Sequence, residues 1–227
     1  CSGKSLKELI NNLKNKGVIQ SERVEDCMRR VDRANYCNSP ECAYDDKPLP
    51  IGTGATISAP HMHAYALESL EKHLTDGAKV LDIGSGSGYL TACMALMVGP
   101  NGKVFGLEHI PELVERSKKN LNKDQPSLIS SGRVEILLRD GRNGLPEEAP
   151  FDAIHVGAAA PELPTKLIEQ LKIGGRLVTP VMMPTILDTR NQSFQIIDKT
   201  KDGIRRQHAM DVSYVPLTSS ELQIKKN

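Results

Sequence analysis

Apolar positions recur along the chain with two periods, and the change from one to the other divides it. Leu6, Leu9, Ile10 and Leu13 share one helix face, Ser5 followed by Glu8 has the spacing of a capping box, and Gly17 is a stop. Val24, Cys27, Met28 and Val31 stand at i, i+3, i+4 and i+7 and predict a second helix beginning near Ser21. Residues 33–60, with Pro40, Pro48, Pro50, Pro60, Gly52 and Gly54, keep no period and read as a long connection, a kind of segment that usually serves function. Pro60 suits the first turn of a third helix, whose stripe of Met62, Ala66, Leu67, Leu70 and Leu74 stops before Gly77. Short apolar runs at 79–83, 103–108, 134–139, 153–156 and 176–180 then alternate with helical stretches near 89–98, 111–122 and 162–171. That rhythm predicts an α/β fold, a doubly wound and mostly parallel sheet with helices on both faces. After Pro184 the runs 193–198 and 210–215, separated by the turn-rich 199–203, read as an antiparallel edge pair. The expected organisation is one domain over 1–227: a helical preface and active-site loop (1–60), an α/β core (61–181) and C-terminal strands (182–227).

Composition narrows the function. Lys and Arg number 29 against 28 Asp and Glu, so no net field draws a polyanion, and three Phe, five Tyr and no Trp leave little to stack on bases. Nucleic acid is therefore not the expected partner. No apolar run approaches the ~20 residues that span a bilayer, and the polar start at 1–7 does not read as a secretory signal, which makes the cytoplasm the expected location. Five Cys without regular spacing predict reduced thiols rather than a disulfide framework. Cys37 and Cys42 are spaced loosely like metal ligands, yet no second pair follows. Gly3-Lys4-Ser5 matches only the tail of a phosphate-binding loop, and the capping box accounts for Ser5 better. The pairs Lys118 with Lys119 and Lys225 with Lys226 read as solvated surface. No metal site is expected.

The chemistry is concentrated where Val80-Leu81-Asp82-Ile83 runs into Gly84-Ser85-Gly86-Ser87-Gly88 and a helix follows. Glycines let a ligand approach the backbone, and the helix N-terminus lends partial positive charge. The dinucleotide pattern would need a glycine where Tyr89 stands, and a pyrophosphate would not favour the Asp82 carboxylate so near. A cationic ligand tolerates it. The sequence D-x-G-x-G-x-G after a strand, with Glu108 ending the next strand, resembles the S-adenosylmethionine-dependent methyltransferases. Glu108 lies about where a ribose-binding carboxylate should, and a carboxylate accepts from both ribose hydroxyls. Arg139-Asp140-Gly141 matches that family's adenine position, and Gly174-Gly175-Arg176-Leu177 resembles its glycine turn into a late strand, although a plain αβ turn explains it equally well.

Longer strings narrow the resemblance. Ala55-Thr56-Ile57-Ser58-Ala59-Pro60-His61-Met62-His63-Ala64 and Phe151-Asp152-Ala153-Ile154-His155-Val156-Gly157-Ala158-Ala159-Ala160-Pro161 look like signature segments of the protein L-isoaspartate O-methyltransferase family, and the likeness runs from the preface through Val215-Pro216-Leu217. Departures are the Cys-bearing stretch 37–46 and Met182-Met183-Pro184-Thr185, where that family commonly has glycines; they bear on substrate breadth. The resemblance implies methyl transfer from S-adenosylmethionine to the α-carboxylate of L-isoaspartyl residues in damaged proteins and peptides, with S-adenosylhomocysteine as product and D-aspartyl an open second acceptor. The ester then closes to a succinimide that reopens partly as normal aspartate. It also implies a monomer. It makes Ser58 the active-site serine, which orients the acceptor carboxylate or the sulfonium centre; capping the helix at Pro60 is the bland role for the same residue. Cofactor contacts are expected from Ala55, Thr56, Ile57, Ser58, His63, Asp82, Gly84, Ser85, Gly86, Ser87, Glu108, Asp140, Gly141 and Leu145. His155, Val156, Gly157 and Ala158 are expected to bind the isoaspartyl backbone as an extended edge, with a buried strand end as the alternative. His61 and His63, two apart on a helix, point about 200° apart and do not suit one metal ion. Because fold and cofactor site do not fix the acceptor, a methyltransferase for RNA or a small molecule remains a second reading. A third is a cofactor-binding adaptor, whose relatives carry a long C-terminal extension; the short stretch after Pro216 argues against it.

Overall fold

The computed structural model describes residues 1–183 and 191–224. Pro184, Thr185, Lys225 and Lys226 lie outside the described residues. Helices α1 (Leu6–Asn15) and α2 (Glu22–Arg30) form the preface. Ser5 caps α1 by accepting from the Glu8 N–H at 3.3 Å, while the Glu8 carboxylate accepts from the Lys4 N–H, one residue before the cap; Ser21 caps α2 through the Val24 N–H. The long connection contains short 3₁₀ turns and a hairpin that its lack of period conceals: β1 (Leu49–Gly52) pairs antiparallel with β2 (Ala55–Ile57).

After α3 (Pro60–Leu70) the chain alternates through β3 (Lys79–Ile83), α4 (Tyr89–Met97), β4 (Lys103–Glu108), α5 (Pro111–Asp124), α6 (Pro126–Ser130) and β5 (Val134–Leu138). It continues through β6 (Phe151–Val156), α7 (Thr165–Glu169), β7 (Leu171–Met182), β8 (Gln192–Thr200), β9 (Gly203–Val212) and α8 (Ser220–Ile224). The seven-stranded sheet has the order β5-β4-β3-β6-β7-β8-β9, parallel as far as β7 and antiparallel beyond. Strand order reverses between β3 and β6, and ligand crevices of open α/β sheets lie outside the carboxyl ends of strands at such a point.

Residues alternate across the sheet with the two-residue period of a strand. Val80, Val104, Ile136 and Val178 pack with α3, α4, α5 and the preface in one apolar cluster; Leu81, Phe105, Ile154 and Leu177 pack with Leu167 and Ile168 of α7 in the other. Three sequence expectations shift. The helix near 162–171 is only Thr165–Glu169, because Leu171 already belongs to β7. Gly174 and Gly175 lie inside β7 at a register shift rather than in a turn; a Cβ on Gly175 would sit 2.9–3.0 Å from three carbonyl oxygens. The last strand is Gly203–Val212 rather than 210–215, since an exposed edge strand carries no buried face to set an apolar alternation. Among the described residues no helix is long and apolar enough to cross a membrane.

Candidate active site

The site is built first on the exit of β3. Gly84, Gly86 and Gly88 take φ of +72°, +52° and +85°, a region that side chains disfavour, and a Cβ on Gly88 would come within 3.2 Å of Ser117 on α5. The Gly84 and Ser85 N–H groups donate to Leu107 O at 2.9 and 3.0 Å, and the Gly157 N–H donates to Ile83 O at 2.7 Å. The loop is thus tied to the ends of both neighbouring strands. Ser87 is buried, its hydroxyl accepting from the Tyr89 N–H at 3.4 Å.

Glu108 ends β4 beside this loop and is buried. One carboxylate oxygen accepts from the Gly86 N–H at 3.1 Å, and the other from the His109 and Ile110 N–H groups at 2.8 and 3.0 Å. Burial pushes its pKa up, against the opposing pull of those backbone bonds. A carboxylate offers about four acceptor sites, so one is left for a ligand hydroxyl. Ala55, Thr56, Gly84, Gly86, Glu108 and Gly141 share the walls of one cavity. Leu217, Thr218 and Gln223 close it from the C-terminal segment, which the sequence reading missed. The Gln223 amide donates to Thr53 O at 2.9 Å, and its oxygen lies 2.8 Å from His109 Nε2, joining the two lips.

A second cavity, which shares Thr56, Gly84, Gly86 and Gly157 with the first, is lined by Ile57, Ser58, His63, Ser85, Ser87 and His155. Asp82 borders it, but its carboxylate is already engaged: the Thr91 hydroxyl donates to one oxygen at 2.5 Å, and His155 Nδ1 lies 2.8 Å from the other. Among the described residues Ser85 Oγ is buried without a partner. A buried carboxylate with a spare acceptor site, this orphaned hydroxyl and a side-chain-free loop together fit the nucleoside cofactor that the motif implies.

Ser58 stands between β2 and α3, and Ala59 takes the N-cap position of α3 with no side chain capping it. The capping role expected as the bland alternative is therefore absent. Ser58 lines both the second cavity and an open cleft of about 620 Å³, where Met62, Met210 and Tyr214 face it. Burial pushes the Tyr214 phenol up to about 12, and its hydrogen bond with Ser58 works against the rise. His61 turns outward to Asp46 at 2.8 Å while His63 is buried, so the two rings diverge as their spacing requires.

Other expected residues fall elsewhere. Asp140 caps the 3₁₀ turn Gly141–Asn143, and its carboxylate is paired with the Arg142 guanidinium at 2.6 Å toward a neighbouring cavity, although Gly141 beside it does line the first. Leu145 is inside the apolar cluster, its N–H donating to Gln170 Oε1 at 2.8 Å. His155 and Val156 belong to β6, which is flanked by β3 and β7, so neither offers a free edge, whereas Gly157 and Ala158 line the first cavity as loop residues. His155 instead turns its ring to the donor side. No sequence signal marks Thr91, nine residues past Asp82, because it meets that carboxylate only where the first helix turn returns over the strand end.

Known proteins agree with this architecture along nearly its whole length. Residues 4–222 match the family model described as protein-L-isoaspartate(D-aspartate) O-methyltransferase. A protein-L-isoaspartate O-methyltransferase of Caenorhabditis elegans is 50% identical over 226 residues, covering 100% of this chain and 98% of that one. An Arabidopsis thaliana protein of the same name is 49% identical, covering 96% and 94%. A Plasmodium falciparum crystal structure assigned to the same enzyme class, solved with S-adenosyl-L-homocysteine, superposes with a TM-score of 0.87 at 38% identity, covering 95% of this chain and 99% of that one. The chain belongs to the protein-L-isoaspartate(D-aspartate) O-methyltransferase family.

Proposed function

We propose that this protein is a repair methyltransferase that esterifies the α-carboxylate of L-isoaspartyl residues in damaged proteins and peptides. The observation that carries the reading is the position of Ser58 on the wall common to the donor cavity and the open cleft, with Thr56 and Gly157 lining both as well. Acceptor and donor thus meet at one place. S-adenosylmethionine, when bound, supplies a methyl group on a sulfonium whose sulfur leaves with the bonding pair, giving S-adenosylhomocysteine. The chain's own work is positional. A carboxylate is already ionised at neutral pH, so the attack needs no strong base and no covalent enzyme intermediate. Glu108 accepts from the ribose, the glycine loop allows close approach of the backbone, and Ser58 orients the acceptor carboxylate. Tyr214, Met62 and Met210 exclude water from the cleft mouth.

We further take residues 1–227 to act as one domain and as a monomer in the cytoplasm. The preface shares its apolar cluster with the sheet, and the five free thiols fit a reducing compartment. Incubation with labelled S-adenosylmethionine and paired peptides tests the function. Label should enter the isoaspartyl peptide and not its aspartyl twin; equal labelling of the two, or label entering RNA, would overturn it.

A further inference from the structure

Arg33 begins the 3₁₀ turn after α2 and is wholly buried, yet among the described residues it forms no ion pair. Its Nε donates to Ala43 O at 2.9 Å, its Nη1 lies 3.3 Å from His63 Nδ1, and its Nη2 has no partner among the described residues. The guanidinium also stands 5.8 Å from the centre of the Tyr89 ring, which stacks at 37° on His63 with centroids 4.9 Å apart. A buried cation whose direct partners are a carbonyl, an aromatic face and a neutral nitrogen, with the Asp46 carboxylate acting on it only through space, is costly.

The chemistry of that contact fixes the imidazole. A guanidinium only donates, so His63 Nδ1 must accept and the ring proton resides on Nε2. Burial first, then the Arg33 charge, hold the ring well below its ordinary pKa, so it stays neutral. Nε2 has no protein partner among the described residues, and the ring lines the donor cavity with Ser58, Ser85 and Ser87. The cavity's opposite charge, Asp82, is held by Thr91 and His155. A ligand end bearing both an ammonium and a carboxylate matches this polarity.

Resting on the cofactor reading above, we propose that Arg33 is a positioning residue: it locks His63 as the Nε2–H tautomer and, through it, makes the donor cavity selective for the carboxylate at the amino-acid end of the cofactor. A purely structural Arg33 would affect all ligands of this cavity alike; a positioning Arg33 affects only those that carry the carboxylate.

Calorimetry with S-adenosylhomocysteine and with its analogue lacking the carboxylate separates the two. The native protein should prefer S-adenosylhomocysteine by about tenfold or more, as expected for one charge-assisted hydrogen bond. Arg33→Met should reduce that preference to within about twofold while leaving affinity for the analogue unchanged. Arg33→Gln, a neutral donor of smaller volume, replaces it should the first variant not fold. Independently, nitrogen NMR of the uncomplexed native protein should show His63 protonated at Nε2. A preference retained in the variants, or an Nδ1–H tautomer in the native protein, overturns the inference alone. A native protein that binds neither ligand overturns the cofactor reading as well.

Discussion

Replacing Glu108 by Gln separates what the site does for the ligand from what it costs the fold. The change keeps shape but removes a charge from a buried carboxylate that already accepts three backbone N–H groups at 2.8 to 3.1 Å. One acceptor site is left, and a hydrogen bond from a ribose hydroxyl to a carboxylate is worth about 1.5–3 kcal/mol, of which a neutral amide oxygen recovers about 0.5–1 kcal/mol. The loss on ligand binding should therefore be about 1–2 kcal/mol, or about 5- to 30-fold in affinity for S-adenosylhomocysteine. Stability of the uncomplexed protein moves differently. Burial raises the Glu108 pKa above its ordinary 4.5, so the native state holds the proton more tightly than the unfolded chain does. Its stabilising contribution is then present below that ordinary value and is lost as pH rises through the native one, which leaves the charged form a burden at neutral pH. Glu108→Gln, which cannot ionise, should lack this component of the pH dependence. Calorimetry gives the affinity, and urea denaturation between about pH 4 and 7 gives the stability profile. Native-like affinity within about threefold would refute the ribose role; an unchanged pH profile would refute the argument from burial.

Ser58→Ala should keep S-adenosylhomocysteine affinity within about threefold while turnover of an isoaspartyl peptide falls about 100-fold, as for loss of one orienting donor; near-native turnover would show that the hydroxyl does not orient the acceptor. Thr91→Val removes the 2.5 Å bond to Asp82 and should cost about 2 kcal/mol; with about 2.1 cal/mol/K of unfolding entropy per residue over 227 residues, Tm should drop by about 4 °C, measurable by calorimetry. Asp198 grips Arg176 through both oxygens at 2.6 and 2.9 Å, and that contact holds its pKa below the ordinary 3.8. The pair's stabilisation is therefore present above that value and lost as pH falls through the native one, so Asp198→Asn should flatten the acid limb of the stability profile; an unaltered limb would dismiss the pair.

The parallel strands were legible because a strand buried on both faces reads as a short apolar run: β3 and β4 have the bounds that their patterns predict. β9 was not, since its residues 203–208 are exposed and carry charge instead of an alternating face. The β1–β2 hairpin was masked by Pro50 and by glycines at its turn. At the site, the glycine loop and Glu108 could be read because backbone conformation and residue type coincide there. Asp82 could be found but its partners could not: Thr91 and His155 lie 9 and 73 positions away and meet it only once the sheet register sets Asp82 beside His155. Leu145, a position carried over from a family pattern, has its side chain in the apolar interior.

The start of the long connection has a role that its lack of period did not reveal. Asn35 and Tyr36 both bind the Asp124 carboxylate at the end of α5, at 2.7 and 3.1 Å, while Arg33 in the same turn reaches His63 in the donor cavity. Tyr36 also meets Tyr89 edge-on, with ring centres 5.5 Å apart. One turn of chain is thus anchored to α5, packed on the first residue of α4 and aimed at the site. Ser58 comes from the segment after the hairpin, Asp82 from the core and Tyr214 from beyond β9. Because each contributes to the same pair of cavities, loosening any one segment must disturb ligand geometry as well as stability. Ligand binding should in turn stabilise distant segments together, since a ligand that binds only the assembled site adds its free energy to the folded state as a whole.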